Sequence, residues 1–285
     1  MLLINNFRLP LHMIKNDIFI IDIGTSFYKM GHSLRDCSIF GKTPDDTLVD
    51  KEINDYETYL NLIESNLGTE YLIINLGANR RVLSNLFEKR LVQGIMFVDD
   101  RVMDLYAAGK NNGIIINVSG SGVECAAICD SLVVESVKIY DGKEIDAWIL
   151  KDGEDKFVFK ETFNYLEESK NTLEEKVKQK VLNDIEKAMN DLINKIKPEM
   201  KNSLLANIVL CGGYAKPPSL TEKIYDVLSK EHKNIKVTKE LDIFSTYTGC
   251  DILSRLDDLD YFIGMKDYEE YGANVLDKFN IEWRK

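Results

Sequence analysis

Residues Ile18–Gly31 read IFIIDIGTSFYKMG. Four apolar residues, Ile18, Phe19, Ile20 and Ile21, predict a buried strand. Asp22-Ile23-Gly24-Thr25-Ser26 then turns the chain sharply, and Phe27 and Tyr28 begin a strand back. A turn with an acid and a glycine between two strands is one way to grip a phosphate or a metal-bound phosphate. Its backbone N–H groups point inward as an anion nest, and the acid can hold a cation directly or through water. The same pattern occurs in ordinary hairpins, so its weight rests on partners further along the chain.

The bulk numbers narrow the classes. The chain has 285 residues, room for one large or two medium domains. A net charge of −11 argues against a nucleic-acid backbone or an anionic membrane as the main partner. No apolar run reaches the length of a membrane span. Residues 1–16 read as an irregular N-terminal extension without the apolar core of a signal peptide. Five cysteines in no disulfide-like framework suit a reducing compartment, and Cys125 and Cys129 share a predicted strand as core residues rather than metal ligands. The three histidines show no ligand spacing.

Further along, Cys37–Lys42 predicts a short strand and 43–55 an acidic surface loop. Tyr56, Tyr59, Leu60 and Ile63 mark a helical face that Gly68 closes. Tyr71–Leu76, Asn79–Val92, Gly94–Val98 and Asp100–Lys110 then alternate strand, helix, strand, helix, which builds a sheet with helices on its faces. A second hairpin follows: Gly113–Val118, the turn Ser119-Gly120-Ser121-Gly122, and Val123–Cys129, with a third strand within Ser131–Tyr140. A strand, glycine turn and strand thus opens two successive α/β lobes, and this internal repeat organises the chain.

Trp148–Phe159 reads as a short polar stretch. The stripe Leu173, Val177, Val181, Ile185, Met189, Leu192 and Ile196 predicts a long helix over Glu161–Lys197, single or broken near Asn171, with Pro198 stopping it. Asn207–Cys211 is a buried strand that ends on Gly212-Gly213. A helix over Leu220–Leu228, a strand at Ile235–Val237 and two closing helices follow. In the first of these, Phe244–Leu256, Gly249 marks a close approach to another backbone.

The order of a D-x-G hairpin, a G-x-G hairpin and a strand ending in Gly-Gly resembles the actin, sugar-kinase and heat-shock chaperone ATPase superfamily. The segments LYAAGKNNGI (105–114), NIVLCGG (207–213), FSTYTGC (244–250) and KDYEEYG (266–272) are similar to actin segments in the same order. The resemblance runs from Ile18 to Gly272. It implies an α/β, two-lobed actin-like (ribonuclease H-like repeat) fold: an N-terminal extension (1–16), a first lobe (17–112, with 243–285 packing back on it) and a second lobe (113–242). It further implies a vestigial nucleotide cleft lined by Asp22, Gly24, Thr25, Ser26, Lys29, Gly120, Ser121, Gly122, Gly212, Gly213 and Tyr214. ATP or ADP with magnesium is the ligand such a cleft implies.

The departures from the family sit in that cleft. Ser26 replaces a glycine, both carboxylates of the second turn are lost, Asp100 replaces the glutamine that positions water, and Tyr214 replaces a small residue. Those carboxylates order the magnesium shell and the attacking water, so no catalytic and no metal-binding residue is assigned. Only Thr43–Asp55 and about Asp146–Glu161 stand where actin has its subdomains 2 and 4, so these are largely deleted. Both belong to the pointed-end face. The resemblance then implies a cytoplasmic, cytoskeletal, non-catalytic subunit that caps the pointed end of the short actin-like filament in dynactin, as small fungal pointed-end subunits do. Its partners would be an actin-like filament subunit and the other pointed-end subunits, not nucleic acid or membrane. The alternatives are a nuclear actin-related subunit of a chromatin remodeller and a nucleotide-binding actin-like ATPase.

Overall fold

A computed structural model describes residues 18–33, 37–49, 52–68, 70–75, 80–140, 142–154, 172–213, 218–230, 232, 234–256 and 262–276. The chain divides into two compact units, Met1–Asp99 with Cys250–Arg284, and Asp100–Gly249. The expected extension at 1–16 lies outside the described residues.

In the first unit, β1 (Ile18–Ile23) is buried at all six positions. It is flanked on both sides, antiparallel to β2 (Phe27–His32) and parallel to β6 (Glu70–Asn75). A strand covered on both faces reads as an unbroken apolar run rather than an alternating one. The sheet continues to β3 (Ile39–Lys42) at one edge, and through β7 (Val92–Val98) to β13 (Ile263–Gly264) at the other. Helices α1 (Tyr56–Glu64) and α2 (Arg80–Glu88) turn Tyr59, Leu60, Ile63, Val82, Leu83, Leu86 and Phe87 into its core. Asp55 starts α1 by accepting the Thr58 N–H at 3.1 Å. The helix ends at Glu64, ahead of Gly68, so the expected glycine cap is not its terminus. The segment 43–55 also differs from a plain surface loop. It folds into a small antiparallel pair, β4 (Leu48–Val49) and β5 (Glu52–Ile53), with Thr43, Thr47 and Leu48 buried.

In the second unit, β8 (Gly113–Ser119), β9 (Gly122–Cys129) and β10 (Leu132–Ile139) form an antiparallel meander. β11 (Ile208–Cys211) pairs parallel with β8, and β12 (Val237–Glu240) parallel with β11. This is the arrangement of the first unit again: a three-stranded meander whose first strand takes a parallel partner from beyond a helix. The duplication expected from the two hairpins is therefore present in the topology.

Helix α3 (Asp100–Ala107) packs on β8 and β10. Helix α5 (Thr172–Lys195) lays Leu173, Val177, Val181, Ile185, Met189 and Leu192 along β9 and β10. Its described start is Thr172; the expected stretch from Glu161 lies outside the described residues. Two helices were not expected. α4 (Gly142–Lys151) buries Ile145 and Ile149, two inward positions that a polar reading of the stretch passes over. α6 (Pro198–Leu205) begins on the proline expected to end α5. Proline lacks an N–H that the first helical position does not use, so it starts a helix as readily as it stops one. α7 (Pro218–Leu228) then precedes β12, which begins at Val237, where the expected strand ended.

The last helices are α8 (Ser245–Ser254) and α9 (Met265–Tyr271). A Cβ on Gly249 of α8 would collide with the Met103 carbonyl of α3, so the expected close approach is real and its neighbour is rigid backbone. Gly249→Ala is expected to destabilise the protein by about 1–3 kcal/mol through forced repacking, read as a lower midpoint in chemical denaturation. An unchanged midpoint would mean that α3 and α8 separate at little cost.

Candidate functional site

The candidate residues fall in both units, and each half has its own geometry. In the first unit, the turn after β1 closes with the Gly24 N–H donating to the Phe27 carbonyl at 2.9 Å. Thr43 braces it from outside: its hydroxyl donates to the Gly24 carbonyl at 2.7 Å and its N–H to the Ser26 carbonyl at 3.0 Å. Asp22 is 2% exposed, and both its oxygens are engaged. Lys29 Nζ stands 2.9 Å from Oδ2, and Asn75 Nδ2 donates to Oδ1 at 3.0 Å. The register explains the first pair, since Asp22 on β1 lies opposite Lys29 on β2. The Tyr59 hydroxyl is buried near this acid with no hydrogen-bond partner among the described residues, and burial, then the Asp22 charge, push its pKa upward. Structure thus brings Asp22 and Lys29 together and holds Gly24 and Ser26 in one turn. The acid already has a cation, and that cation is a side chain.

In the second unit, Ser119 pairs with Gly122, so the expected four-residue turn is a two-residue one made by Gly120 and Ser121. Gly122 takes a φ of 129°, a conformation open mainly to glycine. The Ser119 and Ser121 hydroxyls lie 2.9 Å apart. The first residue of α4 covers this turn. A Cβ on Gly142 would collide with the Gly120 carbonyl, and Ser121 is buried. Gly212 follows β11 with a φ of 102°, and a Cβ there would run into the Val118 carbonyl at the end of β8. Beside it, the Asn117 side-chain oxygen is buried with no hydrogen-bond partner among the described residues. Gly213 completes the turn, and Tyr214 lies outside the described residues.

Charge in this second half belongs to residues that sequence reasoning passed over. Glu124 on β9 lies in register with both Asn117 and Lys138 and is 4% exposed. Arg101 Nη1 donates to its Oε1 at 3.1 Å, and Lys138 Nζ stands 3.3 Å from the same oxygen. Asp100, at the start of α3, accepts the Arg101 N–H at 3.0 Å. One turn on, Asp104 is fully buried and accepts from Ser245, Thr246 and Cys211. Alternation in the hairpins could have flagged Glu124 as an inward acid; nothing local marks Asp104, whose partners lie 107 to 142 residues away.

These residues can be weighed against a magnesium-bound nucleotide. A hydrated divalent cation needs carboxylate oxygens free to order its water shell. Asp22 spends its oxygens on Lys29 and Asn75. The second turn carries no carboxylate, and the nearest acid on its strands, Glu124, is bound by two cations. Among the described residues no group of three His, Cys, Asp or Glu side chains is placed to hold a metal ion. Asp22, the one acid of the two turns, is thus already partnered within its own unit.

Residues 146–279 match the family model described as Actin. The match starts inside α4 and runs past α9, so it reaches neither hairpin. No curated protein matches the chain. The duplicated mixed α/β topology, with this match over the later part of the chain, is consistent with a shortened actin-like fold. Among the described residues no helix is long and apolar enough to cross a membrane.

The Asp22–Lys29 pair makes a prediction. Lys29→Met leaves a buried carboxylate uncompensated and is expected to cost about 3–5 kcal/mol in urea unfolding. Combining it with Asp22→Asn should recover much of that loss, because the stranded charge is gone. A double variant no more stable than Lys29→Met would show that the lysine acts by packing alone.

Proposed function

We propose that this chain is a non-catalytic actin-like structural subunit, and that it caps the pointed end of a short actin-like filament, the position of the pointed-end subunit in dynactin. One observation carries the reading: the second hairpin turn has no acid and is covered by α4 instead of being left open to a phosphate. Phosphoryl transfer is mostly positioning and electrostatics, so a site without a cation shell has lost what turnover needs. The frame has been kept and its chemistry replaced by internal ion pairs, as expected where selection acts on shape.

The capping role is supported by what is short. Among the described residues the small β4–β5 pair stands between β3 and α1, and twenty residues separate Lys151 of α4 from Thr172 of α5. In an actin-like filament those two places form the face that receives the next subunit. Head-to-tail assembly stops at a subunit that offers one complementary face and lacks the other. The acidic balance of the chain fits a protein partner rather than nucleic acid or an anionic bilayer. A cytoplasmic, cytoskeletal location belongs to the same reading.

Two measurements test it separately. Purified full-length protein should release no phosphate from ATP with magnesium above the buffer rate; turnover at micromolar ATP would overturn the non-catalytic reading. Affinity purification from the native cell should recover dynactin subunits. Recovery of chromatin-remodeller subunits in their place would overturn the capping role and leave the first conclusion standing.

A further inference from the structure

The chain holds one Asn-Gly pair, Asn112-Gly113, where the bend after α3 enters β8. A Cβ on Gly113 would collide with the Asn207 carbonyl, so the packing there requires glycine. The Asn112 side chain clasps the turn between β9 and β10. Its Oδ1 accepts the Asp130 N–H at 2.8 Å. Its Nδ2 donates to Asn111 Oδ1 at 2.9 Å and to Asp130 Oδ1 at 3.4 Å. That turn has two residues, Asp130 and Ser131, closed by the Cys129–Leu132 pair. Neither is a glycine, yet their φ values are 50° and 64°. A two-residue turn of this kind needs positive φ at both positions, which costs residues that carry a side chain. The stretch after α3 holds it in place. Besides Asn112, the Asn111 carbonyl accepts the Ser131 N–H at 3.0 Å, and the Tyr106 hydroxyl donates to Ser131 Oγ at 2.9 Å. All of these residues belong to the second unit.

We propose that Asn112 is a site of spontaneous deamidation, and that its conversion unfastens the β9–β10 turn. The Gly113 nitrogen attacks Asn112 Cγ and loses its proton. The new C–N bond closes a cyclic imide, the Cγ–Nδ2 bond breaks, and ammonia leaves. Water then opens the ring at one of its two carbonyls and leaves aspartate or isoaspartate at position 112. Solvent water is the only co-reactant. Gly113 offers no side chain to hinder the attack. The fold itself requires this labile pair: position 113 has no room for a Cβ, and position 112 must present an acceptor and a donor on a short side chain.

Access comes from the position in the ladder. Gly113 pairs with Ile128 at the last rung between β8 and β9, and the ends of a ladder open before its middle. The product then works against the clasp. A carboxylate has no hydrogen to donate, so the bonds to Asn111 and to the Asp130 carboxylate are lost. A second negative charge stands where the amide met Asp130, and facing like charges destabilise a strand connection. Lys110, two residues earlier, is already bonded to Asn207 Oδ1 at 2.8 Å. Isoaspartate adds a backbone carbon as well, which shifts the start of β8 against its partners.

The test uses the full chain. Wild-type protein is aged in warm, mildly alkaline buffer, digested and mapped by mass spectrometry, beside the same chain unfolded in urea. The amide-to-acid mass shift should appear at Asn112 ahead of every other asparagine. It should build up on the order of tenfold more slowly than in urea, because the last rung has to open first. An intact Asn112 in the native chain long after the unfolded chain has converted overturns the inference. Asn112→Asp supplies the product directly. Hydrogen exchange at the Asp130 and Ser131 amides should quicken roughly fivefold to tenfold over wild type, with Asn112→Ser, which loses the clasp without gaining the charge, in between. Wild-type exchange rates in Asn112→Asp overturn the unfastening.

Discussion

The second unit depends on one backbone ladder, the parallel pairing of Ile114–Asn117 in β8 with Ile208–Cys211 in β11. Parallel strands cannot be joined by a tight turn, so the chain between them must cross over. Here it spends the crossover on the rest of the meander and on α4, α5 and α6, which then supply the helical cover of the sheet. Everything singular about this half follows from that ladder. It sets Gly212 against the Val118 carbonyl and leaves Asn117 facing the same turn. It also carries Cys211 to Asp104 on α3. The first unit repeats the device with β1 and β6, and there the ladder sets Asn75 opposite Asp22.

Buried charge is handled in three ways in one chain. Asp22 has a lysine and an amide, Glu124 has an arginine and a lysine, and Asp104 has only neutral donors. The first two trade desolvation against a close cation, an exchange that roughly balances and is severe to break. The third has neutral donors in place of a cation.

Much of the architecture was legible in residue order. Unbroken apolar runs such as Ile18–Ile21 and Ile114–Ile116 could only be strands covered on both faces, and helical stripes between them required an α/β build. Gly249 was legible as a close approach, though not what it approached. The misreadings have local causes. Pro198 looks the same whether it ends one helix or begins the next. In 142–151, two buried isoleucines among polar residues make a short amphipathic face that composition hides. Thr43 looked like loop and proved to brace the first turn across 19 residues of sequence.

Sequence by itself determined the strand–turn–strand repeat, a second turn without acids, and the length of the segments on either side. These are properties of residue type and spacing, and folding cannot change them. Tertiary structure alone decided what became of the opening hairpin's acid. Within Ile18–Gly31 an acid such as Asp22 could hold a cation or sit in an ordinary hairpin; it becomes half of an internal ion pair because β2 and β6 deliver Lys29 and Asn75 to its two oxygens. The same holds for Glu124 and Asp104. Their chemistry is set by partners that no local pattern names, brought within bonding distance by strand register and helix packing.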